Sequence, residues 1–484
     1  MSHVFSLLTT FALALLPVHS HSAETGSVMI DPAARQGTWQ GWGISLAWWA
    51  GVFGDRDDLA DALFTTKPVK LGPDLIPGLG LTFARYNAGA CGWNDVDGRK
   101  MVVSKIIQRY RQMEGFWLDG KNPDPNSKSW NWDVDAKQRL MLTKARERGV
   151  KQFELFSNSP MWWMTKNDNP SGGPKPTDDN LATEHERNFA IYLATIAKRA
   201  NEQWGITFTS VAPFNEPRSD WWFADCKQEG CHVSAPAQAR LLPLVREELD
   251  RRDLKSLPIT ASEETYYDHA IETWKSFSPE VKKLVSHVNV HGYQEAKGDR
   301  AELHRIAAVD GKVVWNSEYG DGDPHGLNMA RNLHRDIAHL RAVSWSYWQA
   351  VDGGGWGLVA GNLRGGRMTQ INPKWHVLAQ YTRSIPQGAI ILTTGDESTI
   401  AAYDVQHARL TLVCLNDSDK ARTARFDLSK FAATGRADVW LTQPHGQARY
   451  QISTAVTFQG GSLSVTLPEK SVQTIVINDL RTTR

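Results

Sequence analysis

The alternation of strand-like and helix-like segments between residues 39 and 384 limits the fold of this chain more than any other feature. Helical periodicity separates short apolar segments, as in AKQRLMLTKARERG, which ends on glycine as helices often do. Eight strand–helix units predict an α/β fold, the (β/α)8 TIM barrel. The predicted strands are residues 39–48, 81–87, 151–159, 208–215, 258–264, 285–293, 312–318 and 342–350.

A doubly wound open sheet is the alternative fold for the same alternation. Sheets of that kind usually carry a glycine-rich phosphate turn after the first strand, where a helix begins. The segment GWGISL lacks the third glycine of that turn and opens no clear helix. The barrel is therefore the favoured fold.

The pattern changes after residue 384, where short alternating runs recur at a spacing of roughly ten residues between Gly, Asp and Pro signals. This pattern is typical of an all-β sandwich. Residues 24–38 precede the first barrel strand and are expected to join that sandwich. The predicted organisation is a signal peptide at 1–23, this N-terminal segment at 24–38, a catalytic barrel at 39–383 and an attached β-sandwich domain at 384–484.

The N-terminus carries the apolar run VFSLLTTFALALLPVHSHSA, which is too short to span a membrane comfortably and ends in small residues. We interpret it as a secretory signal that is cleaved between Ser20 and Ala23, although its first residues include no Lys or Arg. A buried N-terminal helix is the alternative. The sequence predicts a secreted, extracellular protein without a membrane segment after cleavage.

The composition argues against a nucleic-acid partner and for a sugar-binding cleft. There are 54 basic and 53 acidic residues, a net charge of +1, so the chain carries no basic footprint. Tryptophan is unusually frequent, with 20 copies, several of them in adjacent pairs. Such residues can simply fill the core, but pairs beside Asn, Asp and Ser suggest a cleft wall on which sugar rings stack.

Four cysteines are compatible with an oxidising compartment but do not form a disulfide framework. Cys226 and Cys231 enclose the short loop CKQEGC and are candidates for a disulfide, for which Cys91 is a competing partner. Cys414 lies in the apolar run LTLVCLND and is expected to be a buried free thiol. The spacing resembles no zinc site.

Two glutamates follow strand patterns directly: Glu216 in FNEP, after the fourth strand, and Glu318 in WNSEYG, after the seventh. An acid at a strand end is often only a solvated turn residue or an ion-pair partner. The active sites of such barrels, however, lie at the carboxyl ends of the strands. Two carboxylates at one rim are what glycoside hydrolysis needs, one as an acid and one as a nucleophile, without a metal or cofactor.

Other acidic residues and other functions fit less well. Glu154 lies in mid-strand, Glu263 and Glu264 close the fifth strand as neighbours of the site, and Asp352 is a further rival. A metal-dependent isomerase or lyase would need clustered ligands at strand ends, where His291 is the one histidine near a strand end. A non-catalytic sugar-binding protein on this fold would be expected to lack one of the two glutamates.

The segments GWGISLAWW, ARYNAG, SNSPMWWM, FNEP, HGY, WNSEYG and SYWQ occur in the order found in glycoside hydrolase family 30, which this chain resembles over nearly its whole length after the signal. QGWGISLAWWA and QEGCH are most similar to the endo-β-1,6-galactanase group of that family. The resemblance implies a barrel fused to a β-sandwich, retention of anomeric configuration, Glu216 as acid/base and Glu318 as nucleophile. Many relatives read Ser-Pro-Pro-Trp where this chain reads Ser-Pro-Met-Trp at 159–162.

Chemistry and this resemblance together suggest the supporting residues. Asn215 is expected to bind the sugar 2-hydroxyl, and Tyr293 and Arg85 to keep Glu318 ionised. Arg85 is about equally expected to form a structural ion pair inside the barrel. Two further side chains can bind hydroxyls: Asn158 and His291. Three tryptophans can stack on sugar rings, with core packing as the alternative for each: Trp49, Trp163 and Trp348.

The sequence thus predicts a secreted, monomeric, retaining endo-β-1,6-galactanase that acts on β-1,6-galactan side chains of arabinogalactan. Other activities of the same family remain alternatives: β-1,6-glucanase, glucuronoxylanase and glucosylceramidase. Endo or exo action, the pH optimum, the oligomeric state and the role of the β-sandwich stay open, because residue spacing does not determine them.

Overall fold

The computed structural model describes residues 26–432, 435–458 and 460–482. The predicted signal peptide at 1–23 lies outside these residues. Within the described part of the chain, no helix is both long and apolar enough to cross a bilayer.

A closed barrel of eight parallel strands forms the centre of the molecule. The strands are β1 (Gly41–Ser45), β2 (Phe83–Asn87), β3 (Gln152–Phe156), β4 (Ser210–Ala212), β5 (Ile259–Glu264), β6 (Val285–His291), β7 (Val314–Tyr319) and β8 (Ser344–Tyr347). Neighbouring strands follow the order β6-β7-β8-β1-β2-β3-β4-β5. All eight predicted strands are present, so the prediction of a (β/α)8 barrel is confirmed. Each lies within its predicted segment, except that β7 ends one residue later.

Ten α-helices in the described residues follow the strands, and their apolar faces pack on the barrel. Two of them continue into short π-helical segments, Ala200–Trp204 and Asp336–Leu340. The helices are α1 (Ala47–Phe53), α2 (Asp57–Phe64), α3 (Ala136–Glu147), α4 (Glu186–Arg199), α5 (Ala235–Arg251), α6 (Tyr267–Ser276), α7 (Pro279–Leu284), α8 (Arg300–Val309), α9 (Leu327–Arg335) and α10 (Pro373–Thr382).

The remaining strands form mainly two sheets around a second apolar core. Both receive a strand from the N-terminal segment: Val28–Met29 pairs with Arg422–Asp427, and Arg35–Thr38 pairs with Ile390–Leu392. The smaller sheet is completed by Ser462–Leu467. The larger sheet also contains Thr399–Asp404, Arg409–Asn416, Ser471–Ile477, Gly435–Thr442, Gln451–Ile452 and Val456–Phe458.

Helix α10 joins the barrel to these sheets through buried polar contacts. Gln380 donates to Thr442 Oγ1 at 2.8 Å, and its carbonyl accepts from Thr474 Oγ1 at 2.9 Å. Apolar residues of the larger sheet, including Val413 and Val472, belong to the same core cluster as the barrel. The two parts therefore share a continuous, dry contact.

A three-stranded sheet follows β8 and stands at the carboxyl end of the barrel. Its strands are Val351–Asp352, Val359–Asn362 and Arg367–Ile371. Two-stranded ladders join Pro68–Leu71 to Asp74–Pro77 and Phe431–Ala432 to Arg481–Thr482. The sheet after β8 contributes one wall of the cleft at the barrel mouth.

Candidate active site

Glu216 and Glu318 meet in one cleft at the carboxyl end of the barrel. One carboxylate oxygen of Glu216 lies within 4.8 Å of one carboxylate oxygen of Glu318. The cleft has a volume of about 690 Å³, and both residues line it although each is nearly buried. Carboxyl groups about 5–5.5 Å apart are typical of retaining glycosidases, whereas inverting enzymes hold them about 6.5–9.5 Å apart.

The backbone of Glu216 adopts a left-handed conformation, with φ of 50°. A non-glycine residue there costs about 1 kcal/mol or more and persists only where its surroundings hold it. Here the Glu216 N–H donates to the carbonyl of Glu263 at 2.8 Å, and Trp222 Nε1 donates to the Glu216 carbonyl at 2.8 Å. These two contacts, followed by the restricted backbone of Pro217, fix the carboxyl group at the cleft.

Glu318 is surrounded by donors that stabilise its ionised form. Arg85 Nη1 donates to Oε2 at 2.9 Å, and the Tyr293 hydroxyl donates to Oε1 at 3.0 Å. Burial and the charge of Glu216 raise the pKa of Glu318 on balance, while the charges of His291 and Arg85 and the Tyr293 hydrogen bond limit that rise. These three groups therefore favour the carboxylate form that a nucleophile needs when it attacks.

Glu216 has a different set of partners. His291 Nδ1, at 3.3 Å from Oε1, is the one described side chain that donates to its carboxyl group. No arginine contacts Glu216 among the described residues. It therefore keeps an oxygen available to give a proton to a leaving group and to take one back, which suits an acid/base.

His291 is buried among three carboxylates. Its Nε2 lies 2.9 Å from Glu263, and its Nδ1 lies 3.3 Å from Glu216 and 3.6 Å from Glu318. Burial alone would lower its pKa, but the surrounding carboxylates raise the pKa of His291 to about 10. The ring is then an imidazolium that donates from both nitrogens. An imidazolium has no lone pair for a metal, although Glu216, His291 and Glu318 are close enough to form a ligand set.

Glu263 links the two cations of the site. Its Oε2 accepts from Arg85 Nη2 at 2.9 Å, from His291 Nε2 at 2.9 Å and from Ser317 Oγ at 2.7 Å. Burial would raise its pKa, but Arg85 and His291 outweigh that effect and lower the pKa of Glu263 to about 2. Because its backbone carbonyl also accepts from the Glu216 N–H, this residue links Arg85 and His291 to the acid/base. Sequence reasoning placed it only as a neighbour.

Glu154 lies deeper in the barrel interior, as its mid-strand position suggested. Arg85 Nε donates to its Oε1 at 3.0 Å, and Ser210 and Thr260 donate to its Oε2 at 2.8 and 3.1 Å. Burial and the charge of Glu263 raise the pKa of Glu154. It does not line the cleft, so its contribution is to hold Arg85 in place.

Aromatic side chains line both sides of the cleft. Trp48 and Trp348 meet edge to face, with ring centroids 5.1 Å apart. On the walls Phe223 and Trp356 are 47% and 41% exposed, which is unusual for large apolar residues and offers faces to a ligand. The aromatic residues of the lining are Trp48, Trp221, Phe223, Tyr266, Tyr293, Trp348 and Trp356.

The prediction that Trp49 and Trp163 are stacking platforms is wrong, because both are buried in the core. Trp49 Nε1 donates to the Ser45 carbonyl at 2.7 Å, and Trp163 Nε1 donates to the Trp117 carbonyl at 2.8 Å. Adjacent residues of a helix point about 100° apart, so only one of two neighbouring tryptophans can face the cleft. In α1 that residue is Trp48, which sequence reasoning missed.

Two predicted hydroxyl-binding contacts are also wrong in position. His291 and Asn158 are buried and do not line the cleft, so neither binds a substrate hydroxyl there. Arg85 contacts Glu318, as predicted, and it also forms the structural ion pairs that the sequence left open, with Glu154 and Glu263. Asn215 does line the cleft, and its Oδ1 accepts no hydrogen bond from the described residues, so it can accept one from a ligand.

The disulfide prediction for Cys91, Cys226 and Cys231 is wrong, because all four cysteines are free. Cys91 Sγ donates to Glu229 Oε1 at 3.1 Å, and Cys231 Sγ donates to the His232 carbonyl at 3.4 Å. Cys91 and Cys231 are buried, whereas Cys226 stands partly exposed on the cleft wall. Each thiol thus has its own environment.

A carboxyl group anchors the CKQEGC loop where a disulfide was expected. Glu229 Oε1 also accepts from the N–H groups of Met113 and Ala90 at 3.1 and 3.3 Å. Burial raises the pKa of Glu229 to about 8, so it is neutral at pH 7. Cys414 is a buried free thiol, as predicted.

Comparisons with known proteins agree with this geometry. A model of O-glycosyl hydrolase family 30 matches residues 25–275. An endo-β-1,6-galactanase from Hypocrea rufa is 44% identical over 476 residues, which cover 98% of each chain. An exo-β-1,6-galactobiohydrolase from Bifidobacterium longum subsp. longum is 22% identical over 69% of this chain and 28% of its own.

A solved structure shows the same fold at low sequence identity. The family 30 subfamily 8 xylanase from Clostridium acetobutylicum superimposes with a TM-score of 0.69 and 17% identity, over 94% of this chain and 100% of the xylanase. The near full-length match at 44% identity is stronger evidence for the family than the shared fold alone. The chain belongs to glycoside hydrolase family 30 and is an O-glycosyl hydrolase.

Proposed function

We propose that this protein is a retaining endo-β-1,6-galactanase in which Glu318 is the nucleophile and Glu216 is the acid/base. The observation that carries this proposal is the pair of carboxylates whose oxygens lie within 4.8 Å in an aromatic cleft. The full-length similarity to an endo-β-1,6-galactanase supports the substrate.

In the first step Glu318 attacks the anomeric carbon while the glycosidic C–O bond breaks. Glu216 gives its proton to the leaving oxygen, and a covalent glycosyl–Glu318 ester forms. Arg85 and Tyr293 hold Glu318 in position for attack, and they carry no proton to the substrate. Asn215 Oδ1 accepts a hydrogen bond from the sugar next to the broken bond.

In the second step Glu216 removes a proton from water as the water attacks the same carbon. The ester bond breaks and Glu318 leaves as a carboxylate, so the two inversions give net retention. While Glu318 is esterified, Glu216 no longer faces a second negative charge.

An open cleft lined by aromatic faces on both sides suits internal cleavage of a chain. Rings on the Glu216 side come from the loops after β4 and β5, including Trp221 and Tyr266. Rings on the other side come from α1 and from the segment after β8. Sugar units on both sides of the broken bond can therefore stack. We assign the barrel at 39–383 as the catalytic domain and 384–484 as its attached β-sandwich domain.

We further propose that the protein is secreted by means of residues 1–23 and acts as a monomer on β-1,6-galactan side chains of arabinogalactan. The apolar run at the N-terminus supports secretion, and the galactanase relative supports the substrate.

A substrate panel tests the function. Purified protein is incubated with β-1,6-galactan, β-1,6-glucan, glucuronoxylan and glucosylceramide, and the products are sized. Release of oligosaccharides of several lengths from the galactan is expected. Release of galactobiose alone would replace endo action by exo action, and release from another polymer alone would overturn the substrate. Glu318→Gln should lose several orders of magnitude in kcat, whereas Glu264→Gln, a buried glutamate outside the pair, is the matched control.

A further inference from the structure

A second groove of about 770 Å³ lies beside the catalytic cleft. We call it the flanking groove; its walls are the end of α1 (Gly51 and Val52), residues 107–114, the start of α3 (135–137) and residues 363–364. We propose that the flanking groove binds sugar units of the same polysaccharide chain that lie several residues from the bond being cleaved. This inference rests on the proposed function.

The flanking groove and the cleft share three wall segments. Helix α1 turns Trp48 toward the cleft and Gly51 toward the groove. In the segment 106–112, Arg111 lines the cleft while Gln108 lines the groove. The sheet after β8 gives Asp352 to the cleft and its hairpin gives residues 363–364 to the groove. The two spaces are therefore neighbours along these three segments.

Both spaces open on the same face of the barrel. Helices of a (β/α)8 barrel run back antiparallel to the strands, so each begins on the face where the strands end. Helix α3 begins at Ala136, which lines the flanking groove. A polysaccharide chain that leaves the cleft over the segment 106–112 can thus enter the groove while it stays on the same face of the barrel.

The chemistry of the flanking groove suits a neutral ligand with many hydroxyl groups. Its charged side chains are of both signs and are largely paired: Arg109 lies 3.3 Å from Glu114, and Lys137 lies 3.1 Å from Asp55. No single sign of charge dominates, which disfavours a polyanion or a polycation. Tyr110 adds one aromatic ring on which a sugar can stack.

Asp135 provides an acceptor in the groove that the protein itself does not use. It is only 7% exposed, and its two side-chain donors, the Tyr86 hydroxyl at 2.5 Å and the Gln138 amide at 2.7 Å, both go to Oδ2. Among the described residues no donor reaches Oδ1. Because Asp135 lines the groove, this oxygen is free to accept a hydrogen bond from a sugar hydroxyl.

Binding of distant sugar units lowers KM for the polymer without changing the chemical step. The test is the double variant Gln108→Ala/Arg364→Ala, since both side chains are exposed and lie on separate wall segments. Arg436→Ala, an exposed change on the β-sandwich, is the matched control. Each protein is assayed on β-1,6-galactan polymer and on the shortest galacto-oligosaccharide that the wild type cleaves.

The double variant should raise KM for the polymer about fivefold, the loss expected for two exposed hydrogen bonds, with kcat unchanged. Its KM for the short substrate should equal that of the wild type, and the control should match the wild type on both. Equal KM values for polymer in variant and wild type, or an equal rise on both substrates, would overturn the inference. If the wild type cleaves a different polysaccharide, the galactanase proposal fails separately. The KM values of variant and wild type are then compared on that polymer and on its shortest cleaved oligosaccharide, and this comparison tests whether the groove binds sugar units.

Discussion

Replacing Glu263 with glutamine tests how the charges of the site depend on one another. The change keeps the size of the side chain and removes one negative charge 2.9 Å from His291 Nε2. At an effective dielectric constant of about 20, two unit charges at that distance interact by about 6 kcal/mol, or about four pKa units. The pKa of His291, now about 10, should then fall, although Glu318 and Glu216 still raise it, so that a larger fraction of the ring is neutral at pH 7.

With less positive charge, His291 stabilises the Glu318 carboxylate less; this carboxylate lies 3.6 Å from its Nδ1. Loss of a nearby cation raises a carboxyl pKa, so Glu318 must be titrated at higher pH before it can attack. The acidic limb of kcat/KM against pH, which reports groups of the free enzyme, should move up by about one unit or more. Activity at pH 5 should fall more than activity at pH 7.

Glu264→Gln is the control for this experiment. Glu264 is equally buried and adjacent in β5, but it accepts from Thr273 at 2.7 Å and Gln238 at 3.2 Å, and none of its hydrogen bonds goes to His291, Glu216 or Glu318. It should leave the acidic limb unchanged even where it lowers the melting temperature. The reasoning is refuted if a folded Glu263→Gln variant keeps the wild-type acidic limb, or if both variants shift it equally.

Three further predictions follow from the contacts of single side chains. Trp221→Ala should raise KM with little loss of stability, because Trp221 lines the cleft, whereas Trp222→Ala should cost about 3–5 kcal/mol in a denaturant titration, because Trp222 is buried and holds the Glu216 carbonyl. Equal effects of the two changes on unfolding would contradict this division. Tyr293→Phe removes a donor to Glu318 and should move the acidic limb of kcat/KM to higher pH by less than Glu263→Gln does. An unchanged limb would show that the hydroxyl does not affect the pKa of the nucleophile. Thiol titration of the unreduced, denatured protein should count four thiols, and a count of two would show that one disulfide is present.

The barrel could be predicted from the sequence because each strand is a short apolar run followed by a turn. The catalytic pair followed for the same reason: Glu216 and Glu318 come directly at the ends of two such runs, and all strand ends of a barrel meet at one rim. The sequence distance of the two residues is irrelevant once the strands are in place.

The parts of the site that were missed depend on the directions in which side chains point, and the order of residues in the sequence does not determine these directions. Trp48 and Trp49 are indistinguishable by composition, and only the placement of α1 decides which one faces the cleft. Glu263 lies in a fully buried strand, and its contacts come from three other strands of the barrel. The loop between Cys226 and Cys231 is held by the buried Glu229, which no cysteine count could reveal.

The anomeric form of the first product tests the account most directly. Proton NMR can follow the new reducing end as β-1,6-galactan is cleaved, before mutarotation mixes the two anomers. A pair of carboxylates with oxygens within 4.8 Å predicts that the β anomer appears first. Initial appearance of the α anomer would mean that water attacks directly, and that Glu318 forms no covalent bond with the sugar.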